Sequence, residues 1–309
     1  MSQMLYQRDL YGQTLVELGK ANKDIVVFDA DLSSSTRTSL FAREFPDRFF
    51  NFGVAEQNMI ATAAGLAACG KTVFVSTFAI FATGRAWDQV RNSLCYNNLN
   101  VKIVATHAGL TVGPDGASHQ ALEDIALMRV IPNMNIIVPC DAPQTRDAVL
   151  AAASSKGPFY IRLGRPKVPT IENKGEFRLG KAQVISEGSD VTIIACGIMV
   201  SEALIAAENL KGKGIKAGVI NLHTIRPVDN DAVLKAARTT RGIVVCEEHM
   251  VVGGLASCVQ ETVSENYPTK VICLGIKNRF GQSGEPADLL REYNLKSGDI
   301  EKAALNIIS

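Results

Sequence analysis

Short apolar runs alternate with longer stretches of helical character along the first half of the chain. The runs are rich in Val and Ile and are not interrupted by polar residues, as expected of strands buried on both faces of a sheet. They predict strands at residues 25–28, 72–76, 101–106, 135–138 and 159–163. The stretches between them predict helices at residues 10–21, 56–69, 84–96, 120–129 and 142–155. Such alternation is typical of a mostly parallel sheet with right-handed crossovers.

A polar segment then interrupts the pattern. Residues 164–180 carry two prolines and three glycines, which predicts a linker. A second alternating set follows, with strands at 191–195, 217–221, 243–246 and 271–274 and helices near 200–213, 230–238 and 255–266. Residues 285–308 predict two short helices, the second capped by Ser297. We therefore expect an α/β protein of two doubly wound domains, 1–165 and 181–309, joined by a linker at 166–180.

Composition narrows the class of protein. The 309 residues contain 32 Lys and Arg against 31 Asp and Glu, and this balance argues against nucleic acid as the main partner. No apolar run approaches the ~20 residues needed to cross a bilayer, and the first ten residues lack the apolar core of a signal peptide. Seven cysteines lie at least twelve positions apart, which argues against zinc or redox CxxC sites. We expect a cytoplasmic protein with reduced thiols and no membrane partner.

One sequence match to a phosphate-binding motif is rejected because the predicted elements around it are in the wrong order. Residues 65–72, GLAACGKT, match the phosphate-binding loop letter for letter. That loop needs a strand before it and a helix after it, so that backbone N–H groups converge on phosphate. Here a predicted helix precedes the motif and a predicted strand follows it, so we interpret Gly70 as the end of a helix.

The first stretch with candidate chemistry covers residues 49–84, in which Glu56 and Lys71 are the charged residues. Glu56 stands among apolar residues, where an ionised carboxylate is expensive to desolvate. Two interpretations remain open: a carboxyl group that shares a proton with a ligand, or an acid satisfied by free N–H groups in the first helical turn. Phe78 and Phe81, three positions apart, form either core or an aromatic wall for a planar cofactor.

The second stretch, residues 106–120 (THAGLTVGPDGASHQ), follows a predicted buried strand. It therefore lies at the carboxyl edge of the sheet, where open parallel folds bind ligands. His107, Asp115 and His119 fit no standard zinc spacing and suit hydrogen bonding to a polyhydroxylated substrate better, whereas Ser118 can cap the next helix. Arg165, directly after another buried strand, is placed to bind phosphate or carboxylate.

Several of these segments resemble a known family. FDADLSSST, FNFGVAEQNM, STFAIF, THAGLTVGPDGASHQ and RLGRP resemble the pyrimidine-binding domain of transketolase. From residue 181 onward, EEHMVVGGLAS and RFGQSGEP resemble the C-terminal domain of the same family. The likeness is collinear over essentially the whole chain. The AEQ helix start is shared by thiamine-diphosphate enzymes in general, whereas the His-containing loop indicates transketolase.

The resemblance implies a role for each matching residue. Glu56 corresponds to the glutamate that hydrogen-bonds the aminopyrimidine ring of thiamine diphosphate, and Phe78 and Phe81 correspond to the aromatic residues on that ring. His107 is the second implied catalytic residue. The implied contacts to cofactor or sugar are Asp31, His107, Asp115 and His119, and those to the sugar phosphate are Arg8, Ser35 and Arg165. The implied reaction moves a two-carbon ketol unit from a ketose phosphate to an aldose phosphate.

Two departures from the family pattern matter. Gly84 stands where the family often has a third aromatic residue, and the sequence contains no GDG motif of the diphosphate-binding domain. The chain therefore resembles half of a split transketolase that is active only with an N-terminal partner subunit, in an expected α2β2 assembly. That partner would supply Mg²⁺ and the diphosphate contacts, and no metal ligand is expected in this chain.

Three alternatives stay open at this point. 1-Deoxyxylulose-5-phosphate synthase shares the end of the His-containing loop but typically lacks a histidine at the position of His107. The pyruvate dehydrogenase β subunit shares the AEQ segment and lacks the loop. A scaffold protein that has lost catalysis would have no reason to keep Glu56, both loop histidines and Arg165 together.

Overall fold

The computed structural model describes residues 3–172 and 174–309 of the chain, which form two mostly parallel sheets and a small ribbon. The strands are β1 Met4–Tyr6, β2 Ile25–Asp29, β3 Phe49–Asn51, β4 Thr72–Ser76, β5 Val101–Ala105, β6 Asn135–Ile137, β7 Phe159–Arg162, β8 Lys167–Pro169, β9 Gln183–Ser186, β10 Val191–Ala195, β11 Ala217–Asn221, β12 Thr224–Arg226, β13 Ile243–Met250 and β14 Val271–Ile276.

The described helices lie between strands along the chain, except that the last two follow the final strand. They are α1 Gln7–Ala21, α2 Ser33–Thr36, α3 Ser39–Glu44, α4 Glu56–Ala68, α5 Trp87–Gln89, α6 Asp124–Arg129, α7 Ala142–Ser154, α8 Met199–Lys211, α9 Asn230–Thr239, α10 Leu255–Asn266, α11 Pro286–Glu292 and α12 Ser297–Ile308. Helix α5 lies between two π-helical turns, and 3₁₀ turns occupy Pro46–Arg48 and Leu110–Asp115.

The first sheet has the strand order β12-β6-β7-β5-β4-β2-β3, in which only the pairing of edge strand β12 with β6 is antiparallel. Strand β2 shows why its apolar run is unbroken: Ile25 and Val27 pack with residues of α1 and α7, whereas Val26 and Phe28 pack with residues of α4. The second sheet has the order β14-β13-β10-β11-β9, with β9 antiparallel. The expected doubly wound α/β architecture is confirmed.

The two sheets are joined more closely than a simple linker would require. Strand β12 follows β11 in the chain, yet it pairs with β6 of the first sheet. One hydrophobic core runs through both halves and contains Val75 and Ile103 together with Val245 and Leu255. Strand β8, in the predicted linker, pairs with β1, so the linker also contacts the start of the chain. The start of the sequence is therefore in direct contact with its middle.

The two serines predicted as helix N-caps, Ser118 and Ser297, do not cap helices α6 and α12. The helix expected from residue 120 begins at Asp124, and Glu123 is its N-cap, so Ser118 caps no helix. The intervening residues instead serve the preceding loop, because the Gln120 side chain donates to the Leu110 carbonyl at 2.9 Å. The last helix has Lys296 at its N-cap, where the Asp299 carboxylate accepts the Lys296 N–H, and Ser297 is its first residue.

The helix predicted at residues 84–96 is present but irregular. Its two π-helical turns, Phe81–Arg85 and Val90–Cys95, widen the backbone on either side of α5. The described helices include none that is both long enough and apolar enough to span a bilayer.

Candidate active site

Glu56 begins α4 directly after the turn that leaves strand β3. Its side chain is 1% exposed, and both carboxylate oxygens accept from the same nitrogen, Arg85 Nη1, at 2.9 Å. Arg85 is itself 46% exposed, and its backbone carbonyl accepts from the Gln57 side chain at 3.0 Å. The buried carboxylate of Glu56 is thus covered by one partly exposed side chain, which is also its hydrogen-bond partner.

The guanidinium of Arg85 also covers an aromatic ring. It lies 4.6 Å from the ring centroid of Phe81, one π-helical turn earlier in the chain. Phe81 is stacked with Phe78 at 6.1 Å and an interplanar angle of 15°. Phe78 in turn stacks on the His107 ring at 3.9 Å and 20°. A continuous row of flat groups therefore links Glu56 to the His-containing loop.

His119 closes the far side of this row. Its ring meets Phe81 edge-on at 5.5 Å and Phe78 at 6.4 Å. The side chain is partly exposed, and its Nδ1 lies 3.0 Å from the Ser118 hydroxyl. The structure therefore brings both predicted histidines, both predicted phenylalanines and Glu56 into one cluster.

His107 adopts a backbone conformation that non-glycine residues rarely use. Its φ is +59°, a left-handed conformation whose cost is tolerated chiefly at functional sites. The Nδ1 atom lies 2.9 Å from the Thr106 hydroxyl. Burial, together with the positive charges of Arg8 and Arg165, lowers the pKa of His107 to about 3. The ring is therefore a neutral imidazole at physiological pH and can both donate and accept.

Residues 109–116, called here the 109–116 loop, carry Asp115 and contact Arg165. Arg165 donates to the Val112 carbonyl at 2.5 Å, and its Nη2 lies 4.0 Å from the Asp115 carboxylate. Both charged side chains are about one third exposed, so each can still reach a ligand. The loop lies at the carboxyl end of β5, the sheet edge expected for ligand binding.

A basic group surrounds this edge. Arg8, at the start of α1, lies near Arg165 and Arg37, and burial followed by the charge of Arg37 lowers the pKa of Arg8. The Arg8 side chain donates to the backbone carbonyl of Ser35 at 3.4 Å. Asp9 neutralises part of the cluster through a 2.7 Å ion pair with Arg37. Three guanidinium groups at one edge create a site suited to an anionic substrate group.

Asp31 lies at the end of β2, and its described hydrogen bonds are to Asn51 rather than to the aromatic cluster. Its carboxylate accepts from the Asn51 side chain at 3.1 Å, and its backbone N–H donates to Asn51 at 3.0 Å. Asp31 is exposed and has a φ of +63°. The buried acid of the same segment is Asp29, which accepts from Leu32, Thr36 and Thr38 and organises the turn.

Arg85 and Arg37 are the site residues that sequence reasoning missed. In the structure, a Cβ at Gly84 would meet no atom within 4 Å. This open space is next to Arg85, whose guanidinium covers Phe81. Local pattern could not predict the contact between Arg85 and Glu56, since the two residues lie 29 positions apart in the sequence.

The interpretation of residues 65–72 as a helix end is supported by the geometry. Helix α4 ends at Ala68, Gly70 has a φ of +91°, and strand β4 follows. Lys71 forms a 2.6 Å ion pair with Asp24 rather than facing an open loop. Among the described residues, no group of three or more His, Cys, Asp or Glu side chains is arranged to hold a metal ion.

The chemistry of the cluster fits the aminopyrimidine ring of thiamine diphosphate. A buried carboxylate can bind a ring nitrogen, and aromatic rings beside it can stack on a flat heterocycle. This arrangement at the carboxyl edge of a parallel α/β sheet is compatible with the pyrimidine half-site of a thiamine-diphosphate enzyme.

Comparison with known proteins defines the family. The profile of the transketolase pyrimidine-binding domain matches residues 3–170, and that of the transketolase C-terminal domain matches residues 180–300. The chain belongs to the transketolase family, as the pyrimidine-binding and C-terminal half of a split transketolase.

Individual relatives support this assignment over nearly the full chain. A "putative transketolase C-terminal section" of Methanocaldococcus jannaschii is 49% identical and covers 94% of this chain and 93% of its own. The 6-deoxy-6-sulfo-D-fructose transketolase subunit SqwH of Clostridium sp. (strain MSTE9) is 43% identical and covers 96% and 92%. A solved structure described as a split gene transketolase, inactive beta4 tetramer, is 51% identical with a TM-score of 0.92 and covers 98% of both chains.

Proposed function

We propose that this chain supplies the pyrimidine half-site and the sugar contacts of a thiamine-diphosphate-dependent ketol transferase. The observation that carries the proposal is the continuous cluster from buried Glu56 through Phe81 and Phe78 to His107. When bound, the cofactor supplies a carbanion that carries the two-carbon unit between sugars. The chain's own task is then to hold the pyrimidine ring and to orient the sugar.

Each residue of the cluster has a distinct part in that task. Glu56 binds the ring nitrogen of the pyrimidine and shares a proton with it, in a pocket where burial strengthens the contact. Phe78 and Phe81 exclude water and pack on the ring. Before this can happen, the Arg85 guanidinium has to move off the carboxylate that it covers.

The sugar contacts follow from charge and hydrogen-bonding capacity. Neutral His107, with His119 and Asp115, can hydrogen-bond the hydroxyl and carbonyl groups of a sugar. Arg8 and Arg165, with Ser35, would hold its terminal phosphate, and the charge of neighbouring Arg37 strengthens the attraction. The position of Asp31 at the same sheet edge supports a contact to sugar or cofactor.

The complete enzyme requires a second subunit with the diphosphate and Mg²⁺ site. A relative described as an inactive beta4 tetramer supports the idea that this half does not function alone. We propose an α2β2 complex in which the cofactor lies between this chain and its partner subunit. The described residues offer no metal cluster of their own, so we assign Mg²⁺ to the partner subunit.

The test is cofactor titration followed by a substrate panel. Thiamine diphosphate and Mg²⁺ are titrated into this chain, into the partner subunit and into their mixture, with binding followed by calorimetry. We expect tight binding only in the mixture, and ketol transfer between ketose and aldose phosphates. A mixture that binds the cofactor but turns over only sugars ending in a sulfonate would narrow the substrate class, as the name of the Clostridium relative suggests. A mixture that binds no cofactor would contradict the proposal.

A further inference from the structure

Glu248 connects the second domain to the 109–116 loop. It lies on β13, is 4% exposed, and its carboxylate accepts the backbone N–H of Thr111. Burial raises the pKa of Glu248, while the nearby positive charge of Arg162 opposes that rise. Buried polar groups need hydrogen-bond partners, and the carboxyl group of Glu248 has a loop residue, Thr111, as its partner. The contact is therefore specific and differs from general apolar packing.

The loop backbone is shaped to admit this carboxyl group. Gly109 has a φ of +82°, and a Cβ at that position would lie 2.5 Å from the Glu248 carboxyl carbon. Any side chain at Gly109 would therefore collide with Glu248 as well as strain the backbone. The glycine and the glutamate form a matched pair across the domain boundary.

Two further contacts hold the same loop from the second domain. The Ser283 hydroxyl donates to the Pro114 carbonyl at 2.8 Å. The Gln120 amide donates to the carbonyls of both Leu110 and Gln282 at 2.9 Å, which ties the loop to the segment before α11. Glu248 and Gln120 are the buried members of this set, and Glu248 is the one with a carboxyl group.

The position of Glu248 is itself fixed by the first domain. Arg162, at the end of β7, donates to the backbone carbonyl of Glu248 at 3.0 Å and to Asp124 at 2.7 Å. Arg162 is 6% exposed and pairs with a fully buried carboxylate, so this anchor is rigid. The loop is thus held between a fixed side chain and the sheet edge.

We propose that Glu248 is a positioning residue for substrate recognition, because it holds the 109–116 loop in the geometry that presents Asp115 and Arg165. The inference rests on the proposed function for its effect on turnover. It gives the second domain a part in the site, although no side chain of that domain belongs to the aromatic cluster. Arg165 donates to the carbonyl of Val112 in this loop, so a shift of the loop would also shift Arg165.

The first test measures the loop directly in the free chain. In Glu248→Ala the Thr111 N–H loses its partner, and amides of the 109–116 loop should exchange with deuterium about tenfold faster. Glu248→Gln keeps a side-chain carbonyl and should retain most of the protection. Glu247→Ala is the matched control, since Glu247 is equally buried on β13 but accepts from Leu255 and Ala256 in its own domain.

The second test measures recognition in the complex with the partner subunit, cofactor and Mg²⁺. Glu248→Ala should raise KM for the sugar phosphate about tenfold, with little change in kcat or in cofactor affinity. Should Glu248→Ala not fold, Ser283→Ala removes a half-exposed contact to the same loop and should produce a smaller rise in exchange and in KM.

The outcomes separate this inference from the proposed function. Loop exchange in Glu248→Ala equal to that in Glu247→Ala would overturn the positioning role, as would loosened exchange with an unchanged KM. A wild-type complex without ketol transfer would contradict the proposed function instead, and amide exchange would still decide whether Glu248 holds the loop.

Discussion

Two regions of this chain are covered in different ways: the proposed cofactor corner, formed by Glu56, Gly84 and Arg85, and the proposed substrate loop, which is the 109–116 loop. At the cofactor corner, Glu56 is covered by a half-exposed arginine, and the neighbouring Gly84 leaves open space. At the substrate loop, residues of the second domain fill the space behind the backbone and leave no room for a side chain at Gly109. The 109–116 loop is thus packed against the second domain of the same chain, whereas one half-exposed side chain covers Glu56, the side on which we propose that the partner subunit binds.

The largest expected effect comes from the cofactor corner. Glu56→Ala should lower ketol transfer in the assembled complex by roughly 10²–10⁴-fold, because a positioned proton-sharing group is lost. Circular dichroism should show an intact fold. Glu17→Gln, which breaks an exposed ion pair with Arg146, is the control and should leave turnover unchanged. Normal turnover in Glu56→Ala would remove the proposed role.

A smaller effect on turnover is expected at His107, which stacks on Phe78 and lies just before the 109–116 loop. His107→Asn should raise KM for the sugar about tenfold, since a neutral hydrogen-bonding ring is lost. His223→Asn is a closely matched control, because His223 also lies 2.9 Å from a neighbouring threonine hydroxyl and packs on a phenylalanine, Phe177. Steady-state kinetics should separate them, with His223→Asn affecting stability alone. Equal kinetic effects would show that His107 is structural.

A variant of Arg85 tests whether its guanidinium competes with the cofactor for the carboxylate of Glu56. Arg85→Ala leaves Glu56 buried without its partner, so the chain should lose stability while the complex binds thiamine diphosphate several-fold more tightly. Calorimetric titration of the cofactor gives the affinity, with Arg91→Ala on the same helical stretch as control. Weaker binding in Arg85→Ala would instead show that the guanidinium helps to hold the bound cofactor.

The smallest effect on turnover is expected at Glu247, in the second domain behind the 109–116 loop, where the prediction concerns the pH dependence of stability. Burial raises the pKa of Glu247 from 4.5 to about 7, so this group contributes stability below pH 4.5 that is lost as the pH rises to about 7. Glu247→Gln should remove this dependence of stability on pH, which is on the order of 3 kcal/mol. The difference in thermal midpoint between wild type and variant, measured across this range, checks it. A difference independent of pH would contradict the assignment.

Much of this architecture was predictable because it depends on local pattern. Strands β4 and β10 have the predicted bounds, since runs of apolar residues buried on both faces need no long-range information. The prediction that Glu56, Phe78, Phe81 and His107 share one site came from the family resemblance, and the structure places the four side chains in one cluster.

The remaining features depend on contacts that local pattern does not encode. Strand β12 pairs across the domain boundary with β6, and Glu248 reaches Thr111 over 137 positions. The start of α6 was misplaced because Gln120 serves the loop rather than a helix. Arg85 was missed because its partner Glu56 lies 29 positions away in the sequence, and because only the fold shows the open space beside Gly84.

The most direct test of the central claim is a mixing experiment. This chain and the partner subunit are combined at varied ratios and constant total concentration, with thiamine diphosphate, Mg²⁺, a ketose phosphate and an aldose phosphate, and the rate of ketol transfer is measured. A half-site predicts no activity at either end and a maximum at equal amounts of the two chains. Activity of this chain alone, or an inactive mixture at every ratio, would contradict it.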